Sequence, residues 1–349
     1  MAGPAPAVAR TRSAVTASCA DLPDGGLVLV ACSGGADSLA LAAATAFAVR
    51  AHGPLALRAG AVVVDHRMQP DSAAVAERAA AQCRTLGLDP VLVRTVTVDG
   101  PGGPEAAARD ARYTALRAVA EEVGAAAVLL GHTRDDQAEG VLLGLARGSG
   151  GRSLSGMAPV RGLWRRPLLD LPRSDTEAAC AAQGLDPWHD PTNAPAPDDL
   201  GAPLRSRVRT RVLPVLEREL GPGVPAALAR TAAALREDTD ALDQLADLLA
   251  GQVIDPDGRV RIEPLAGQPA ALRRRVLRIA VLRAGVPAAA LTRTHLLAVD
   301  ALLTDWHGQG AIPLPGRVEV VRACGSLALH QPPRPVTPDS PHQQGEPQR

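Results

Sequence analysis

Six consecutive residues, Ser33-Gly34-Gly35-Ala36-Asp37-Ser38, follow directly on an apolar run at 27–32 and precede Leu39-Ala40-Leu41-Ala42, which reads as the start of a helix. Glycines let the backbone turn tightly and offer N–H groups, serines donate hydrogen bonds, and a helix N-terminus adds a favourable dipole. The segment is therefore a candidate phosphate cradle. A second polar group, Gly131-His132-Thr133-Arg134-Asp135-Asp136-Gln137-Ala138-Glu139, follows another apolar run. Asp136 and Glu139 are three apart and share one helical face, where paired carboxylates suit a cation. A third, Val64-Asp65-His66-Arg67, also ends an apolar run, and Arg109 and Arg112 share a face by the same spacing.

The elements that must position these groups are legible as alternation. Apolar runs at 27–32, 61–64, 91–98 and 126–130 are separated by Ala-rich helical stretches, the pattern of βαβ units. Fully apolar strands imply a parallel sheet covered on both faces, with ligands at the carboxyl ends of the strands, where all three polar groups fall. Beyond 147 the pattern becomes irregular, then helical near 204–220, until Gly221, Pro222, Gly223 and Pro225 punctuate the chain. The expected organisation is an α/β domain over 1–220, a smaller, mainly helical domain over 221–330 and a disordered tail over 331–349. In the second domain 226–249, 271–284 and 291–303 read as helices, and 318–321 and 327–329 as short strands.

Composition narrows the chemistry. All 37 basic residues are arginine, which excludes a Walker A loop and Schiff-base catalysis by a protein lysine. Aromatics are 1% of the chain, too few for a stacking platform, so any RNA contact must rest on arginine. Arg205, Arg207, Arg209 and Arg211 fall at alternate positions, Arg161, Arg165 and Arg166 flank Trp164, and Arg273, Arg274, Arg275 and Arg278 form a further cluster. Five cysteines, an odd number without CxxC spacing, fit a reducing cytoplasm. Neither a secretory signal nor a run of about 20 apolar residues is present, so a cytoplasmic protein making no membrane contact is expected.

Taken together, the Ser33 to Ser38 loop, the Asp65-His66-Arg67-Met68 segment, Ala108 to Tyr113 and the Gly131 to Glu139 segment resemble the tRNA(Ile)-lysidine synthase family of PP-loop ATP pyrophosphatases. The likeness continues through Arg147-Gly148-Ser149-Gly150, Asp190-Pro191-Thr192-Asn193 and Arg205-Ser206-Arg207-Val208-Arg209. Met68 stands where the family usually has Leu, and Ser206 where it usually has Asn. The resemblance implies a Rossmann-like PP-loop domain, ATP and Mg²⁺, and a reaction that adenylates C2 of the wobble cytidine in CAU-anticodon tRNA(Ile) before L-lysine attacks. It assigns Ser33, Gly34, Gly35, Ala36, Asp37, Ser38 and His132 to ATP and Asp37 and Asp136 to Mg²⁺. Catalysis falls to Asp37, Arg112, His132, Asp136 and Glu139, and tRNA contact to Arg109, Arg205, Arg207 and Arg209. A PP-loop tRNA thiolase and a non-catalytic ATP sensor are the competing readings. The missing CxxC weighs against the first and the carboxylates at Asp136 and Glu139 against the second. Association as a homodimer is left open.

Overall fold

A computed structural model describes residues 3–50, 53–67, 69, 71–98, 103–191, 196, 199 and 201–331. Met68, Thr192, Asn193 and all of the expected tail except Gln331 lie outside the described residues. Two compact units divide the chain, 1–237 and 238–349.

The first unit is built on the apolar runs. Its elements are α1 (Pro6–Cys19), β1 (Leu27–Ala31), α2 (Ala36–Ala48), β2 (Arg58–Asp65), α3 (Ser72–Thr85), β3 (Val91–Thr95), α4 (Pro104–Glu122), β4 (Ala127–Leu130) and α5 (Arg134–Ala146). There follow α6 (Gly151–Leu154), β5 (Val160–Arg161), β6 (Trp164–Arg165), α7 (Arg173–Ala182), α8 (Leu204–Arg207), a π-helical segment Val208–Val212, α9 (Leu213–Leu220) and α10 (Val224–Val253). The strands form one sheet in the order β3-β2-β1-β4-β6-β5. All pairings are parallel except β5 with β6, giving the α/β parallel sheet the sequence implies.

Successive side chains of a strand point to opposite faces, and β1 uses both. Val28 and Val30 pack among residues of α1, α2, α3 and α7, including Val15, Leu39, Ala79 and Cys180. Leu27 and Leu29 pack on the other face with Leu116, Val119 and Ala120 of α4. Burial on both faces is why the strand has no polar position, and why its first polar residues appear only where it ends. The order places β1 beside β4, with β2 and β3 beyond β1 and β6 beyond β4. Strand order reverses at that junction, so a crevice opens between the carboxyl ends of β1 and β4, the standard ligand position of such sheets.

The division between units falls inside α10, whereas the Gly-Pro cluster at 221–225 is the turn that joins α9 to α10. The second unit holds β7 (Val260–Arg261), α11 (Glu263–Ala266), α12 (Ala270–Arg283), α13 (Arg293–Thr304), β8 (Ile312–Leu314), β9 (Val318–Ala323) and β10 (Ser326–His330). Its strands form an antiparallel sheet in the order β7-β10-β9-β8, more sheet than the sequence reading gave it. Val276, Leu277, Val281, Val299, Leu302, Val318 and Leu327 supply its core.

Candidate active site

The phosphate cradle leaves β1 and enters α2. Gly34 has φ +84°, a left-handed conformation that side-chain-bearing residues rarely adopt. The buried Ser38 fixes the loop, because its Oγ donates to Gly35 O at 2.9 Å and accepts from Ser33 N–H at 3.1 Å. Opposite, Trp188 N–H donates to Gly34 O at 2.9 Å, so the chain at Trp188 lies against the loop. Ser33 to Ser38 therefore stand together at the N-terminus of a 13-residue helix, the arrangement that favours an oligophosphate.

Beside it, β4 is followed by Gly131, where an added Cβ would sit 3.1 Å from the backbone of Asp37 and Ser38. Glycine here lets the carboxyl end of β4 approach the start of α2. His132 follows, and then α5, whose first turn is a capping box: Asp136 Oδ2 accepts from Thr133 N–H at 2.8 Å. The cap fixes Asp136 and, one turn on, Glu139.

Three predicted carboxylates meet across this crevice, and an arginine absent from the sequence reading joins them. Arg173, the first residue of α7, directs Nε to Asp37 at 3.2 Å, Nη2 to Asp136 at 3.0 Å and Nη1 to Glu139 at 3.5 Å. Thr176 Oγ1, one turn along α7, donates to the other oxygen of Asp37. Arg209, an expected RNA contact, donates from Nε to Glu139 Oε1 at 2.7 Å, and its Nη2 lies 3.8 Å from Asp136. The π-helical segment carries it, and the extra residue of a π-turn re-aims the side chains around it. Glu139 is fully buried, and its Oε2 has no hydrogen-bond partner among the described residues.

Burial raises the Asp37 carboxyl above its usual range, although Arg173 and Thr176 oppose the shift. Asp136 is also burdened by burial, but Arg173, the Thr133 N–H, His132 and Arg209 outweigh it and hold the carboxyl low. Burial pulls against the charge of Arg173, yet Asp136, Asp37 and Glu139 together raise its pKa.

Around His132 and Arg112 the charge is positive. Burial pushes His132 down to about 3, with Arg112, Arg166 and Arg109 adding to the shift against Asp136, so its imidazole is neutral at physiological pH. Burial together with Arg112 lowers His66 as well. Arg112 itself feels burial, Arg109 and Arg205 against its charge. His66 Nδ1, His132 Nδ1, Arg112 Nε and Arg166 Nε are all buried without a hydrogen-bond partner among the described residues. The predicted Arg109, Arg112 and Arg205 thus gather beside the neutral His132 as one cationic wall. Arg165, by contrast, serves the fold, with Nη1 and Nη2 on Asp21 at 2.5 and 2.8 Å.

A phosphate loop after the first strand of a doubly wound sheet, faced across the switch point by carboxylates, defines a PP-loop, ATP-using domain. Residues 9–216 match the family model described as PP-loop domain, and 261–327 match the one described as TilS substrate binding domain. The U34-tRNA thiolase NcsA from Methanococcus maripaludis with its [4Fe-4S] cluster superposes with a TM-score of 0.53 at 20% identity, covering 66% of this chain and 80% of that one, a likeness of fold alone. The tRNA(Ile)-lysidine synthase of Thermobifida fusca is 55% identical over 90% of this chain and 95% of its own length. Those of Leifsonia xyli and Streptomyces coelicolor are 55% and 54% identical over 88% and 89% of this chain and 91% and 87% of theirs. The chain belongs to the tRNA(Ile)-lysidine synthase family.

Proposed function

We propose that this chain converts the wobble cytidine of CAU-anticodon tRNA(Ile) to lysidine. The observation that carries the reading is a buried, anionic crevice against a cationic wall, both at the mouth of a phosphate loop. Glu139 Oε2 is a desolvated carboxylate oxygen awaiting a donor, and the L-lysine ammonium is such a donor. Arg112 and Arg166, with buried guanidinium nitrogens unmatched, would take phosphate charge from the nucleotide or the adenylated base. Ser33 to Ser38 would hold the departing pyrophosphate at the start of α2.

The cytidine C2 oxygen attacks the α-phosphorus of ATP and pyrophosphate leaves. The lysine amine then attacks C2, loses a proton, and AMP departs with the former carbonyl oxygen. Neutral His132 would hydrogen-bond the adenylate without adding charge, and Glu139 and Asp136 would orient the amine and receive its proton. Asp37 and Asp136 fit a Mg²⁺ site. They are hard oxygen donors on the two sides of the crevice, and Mg²⁺ commonly takes one or two carboxylates together with substrate phosphates. Bound there, the ion would neutralise phosphate charge. Arg205 and Arg207, on α8, would meet the tRNA backbone. The chain would act in the cytoplasm, where its tRNA is.

Incorporation of labelled L-lysine into unmodified CAU-anticodon tRNA(Ile), with ATP and Mg²⁺ and against an ATP-free control, tests the reading. ATP-dependent labelling is expected. Pyrophosphate release without labelling would keep the adenylation and reject lysine as the nucleophile.

A further inference from the structure

Asp37 belongs to the phosphate loop and Asp136 and Glu139 to α5; all three are acceptors that cannot bond one another when ionised, and Arg173 touches all three. We propose that Arg173 is a positioning residue, a fixed internal counter-cation that sets the phosphate-loop carboxylate in register with the α5 pair and so forms the amine seat. The inference rests on the reading that this crevice receives the lysine amine.

The alternative, that Arg173 is a stand-in cation that substrate expels, fits the geometry less well. Arg173 takes Oε1 of Glu139, sharing it with Arg209, and leaves Oε2 open, so the arginine and an incoming ammonium occupy different oxygens. The arginine is also anchored at its backbone. Its N–H donates to Asp135 Oδ2 at 2.8 Å, which ties the start of α7 to the first turn of α5. The helix behind it is clamped twice more: Arg10 holds Asp175 through two nitrogens at 2.6 and 2.7 Å, and Cys180 Sγ lies 3.3 Å from Ala36 O on α2. A group meant to leave would not be tied to both neighbouring helices. Three carboxylates converging in a partly buried space repel one another, and a planar guanidinium, which stays charged, can serve all three with three different nitrogens. A lysine in its place supplies the charge at one point and not the fork.

The full-length protein with Arg173→Met, Arg173→Lys or Thr176→Val would be assayed at saturating ATP and tRNA for the KM and kcat of L-lysine, and without lysine for tRNA-stimulated pyrophosphate release. Arg173→Met is expected to raise the lysine KM about 100-fold, the scale on which a misplacement of about 1 Å is felt. Arg173→Lys should recover about ten-fold of that loss, because a cation returns without the fork. Thr176→Val keeps the arginine and a similar volume but frees one oxygen of Asp37, so it should slow pyrophosphate release about ten-fold with little change in lysine KM. An unchanged lysine KM in both Arg173 variants, with only the amount of folded protein reduced, would assign Arg173 to the fold and overturn the proposal. A lysine KM that falls in Arg173→Met would show a displaced competitor and overturn it too. Failure of the wild-type protein to incorporate lysine would instead strike the reading of function beneath it.

Discussion

At the scale of single residues, the site separates two charges that a nucleotide-dependent amine transfer needs kept apart. Asp37, Asp136 and Glu139 meet around Arg173 and Arg209, while Arg109, Arg112 and Arg205 lie near one another, and His132 feels both Asp136 and Arg112. Glu139→Gln keeps the shape of the buried side chain and removes its charge. Losing one charged hydrogen bond should raise the lysine KM roughly 10- to 100-fold while tRNA-stimulated pyrophosphate release persists. His132 makes a different prediction, about pH. Its folded pKa lies near 3 and its ordinary value near 6.5, so folding favours the neutral ring. The stability this contributes is complete above about pH 6.5 and is lost as pH falls towards 3, because the unfolded chain takes up a proton that the native site refuses. Thermal unfolding between pH 4 and 8 should show a declining acid limb that His132→Asn flattens. The carboxylates were legible in the sequence because each lies in a short motif at the end of an apolar run. Arg173 was not, since its partners Asp37 and Asp136 stand 136 and 37 residues away and only the fold brings them to it.

At the scale of elements, two local irregularities do the positioning. One is Gly131, where β4 approaches the first turn of α2 so closely that a Cβ would meet backbone at 3.1 Å. Gly131→Ala must push the loop by a few tenths of an ångström, and backbone cannot yield as a side-chain tip does. Overpacking of this kind costs about 1–3 kcal/mol. The expected outcome is a lower melting temperature together with an ATP KM raised about ten-fold, and an unchanged KM would mean that the loop absorbs the shift. The other is the π-turn at Val208–Val212, where the sequence pattern predicts ordinary helix. Alternate arginines on a helix point in different directions, so the run at 205, 207, 209 and 211 could not be resolved into roles from spacing. The structure divides it: Arg209 turns to Glu139, Arg211 Nη2 donates to the carbonyls of Ala196 and Asp199, and Arg205 joins the cationic wall. Arg209→Ala should therefore raise the lysine KM, whereas Arg207→Ala should weaken tRNA binding about ten-fold at moderate salt and leave ATP binding alone. The principal strands of the catalytic sheet were legible from apolar runs, but β7 and β8 were not, because two or three residues are too few to display a period.

At the scale of the whole molecule, a formal net charge of zero means that abundance of arginine is a poor guide to RNA contact. The cluster at 273–278 shows why. Composition leaves RNA contact and a solvated helix face equally open there, but Arg273 and Arg274 both bond the buried Asp300 of α13, and Arg275 Nε donates to Asp243 at 2.8 Å. Three of the four arginines are thus tied within the C-terminal unit. Burial works against the Asp300 carboxylate, but the two arginines prevail and hold its pKa low. Its stabilisation is therefore present above the ordinary carboxylate pKa and lost as pH falls through the lower, folded value. Asp300→Ala removes the anion and leaves Arg273, itself buried, without its partner. Breaking a buried pair from one side costs about 3–5 kcal/mol, and since Arg274 is a third exposed the lower end applies here. Calorimetry should show the transition of the C-terminal unit lowered by several degrees, while the transition that ATP stabilises stays in place. The same variant decides between the two readings of the cluster. If these arginines were RNA ligands held in reserve, freeing them would tighten tRNA binding and steepen its salt dependence. As structural ties, they should give the reverse: weaker tRNA binding in step with the loss of folded C-terminal unit, recovered on cooling.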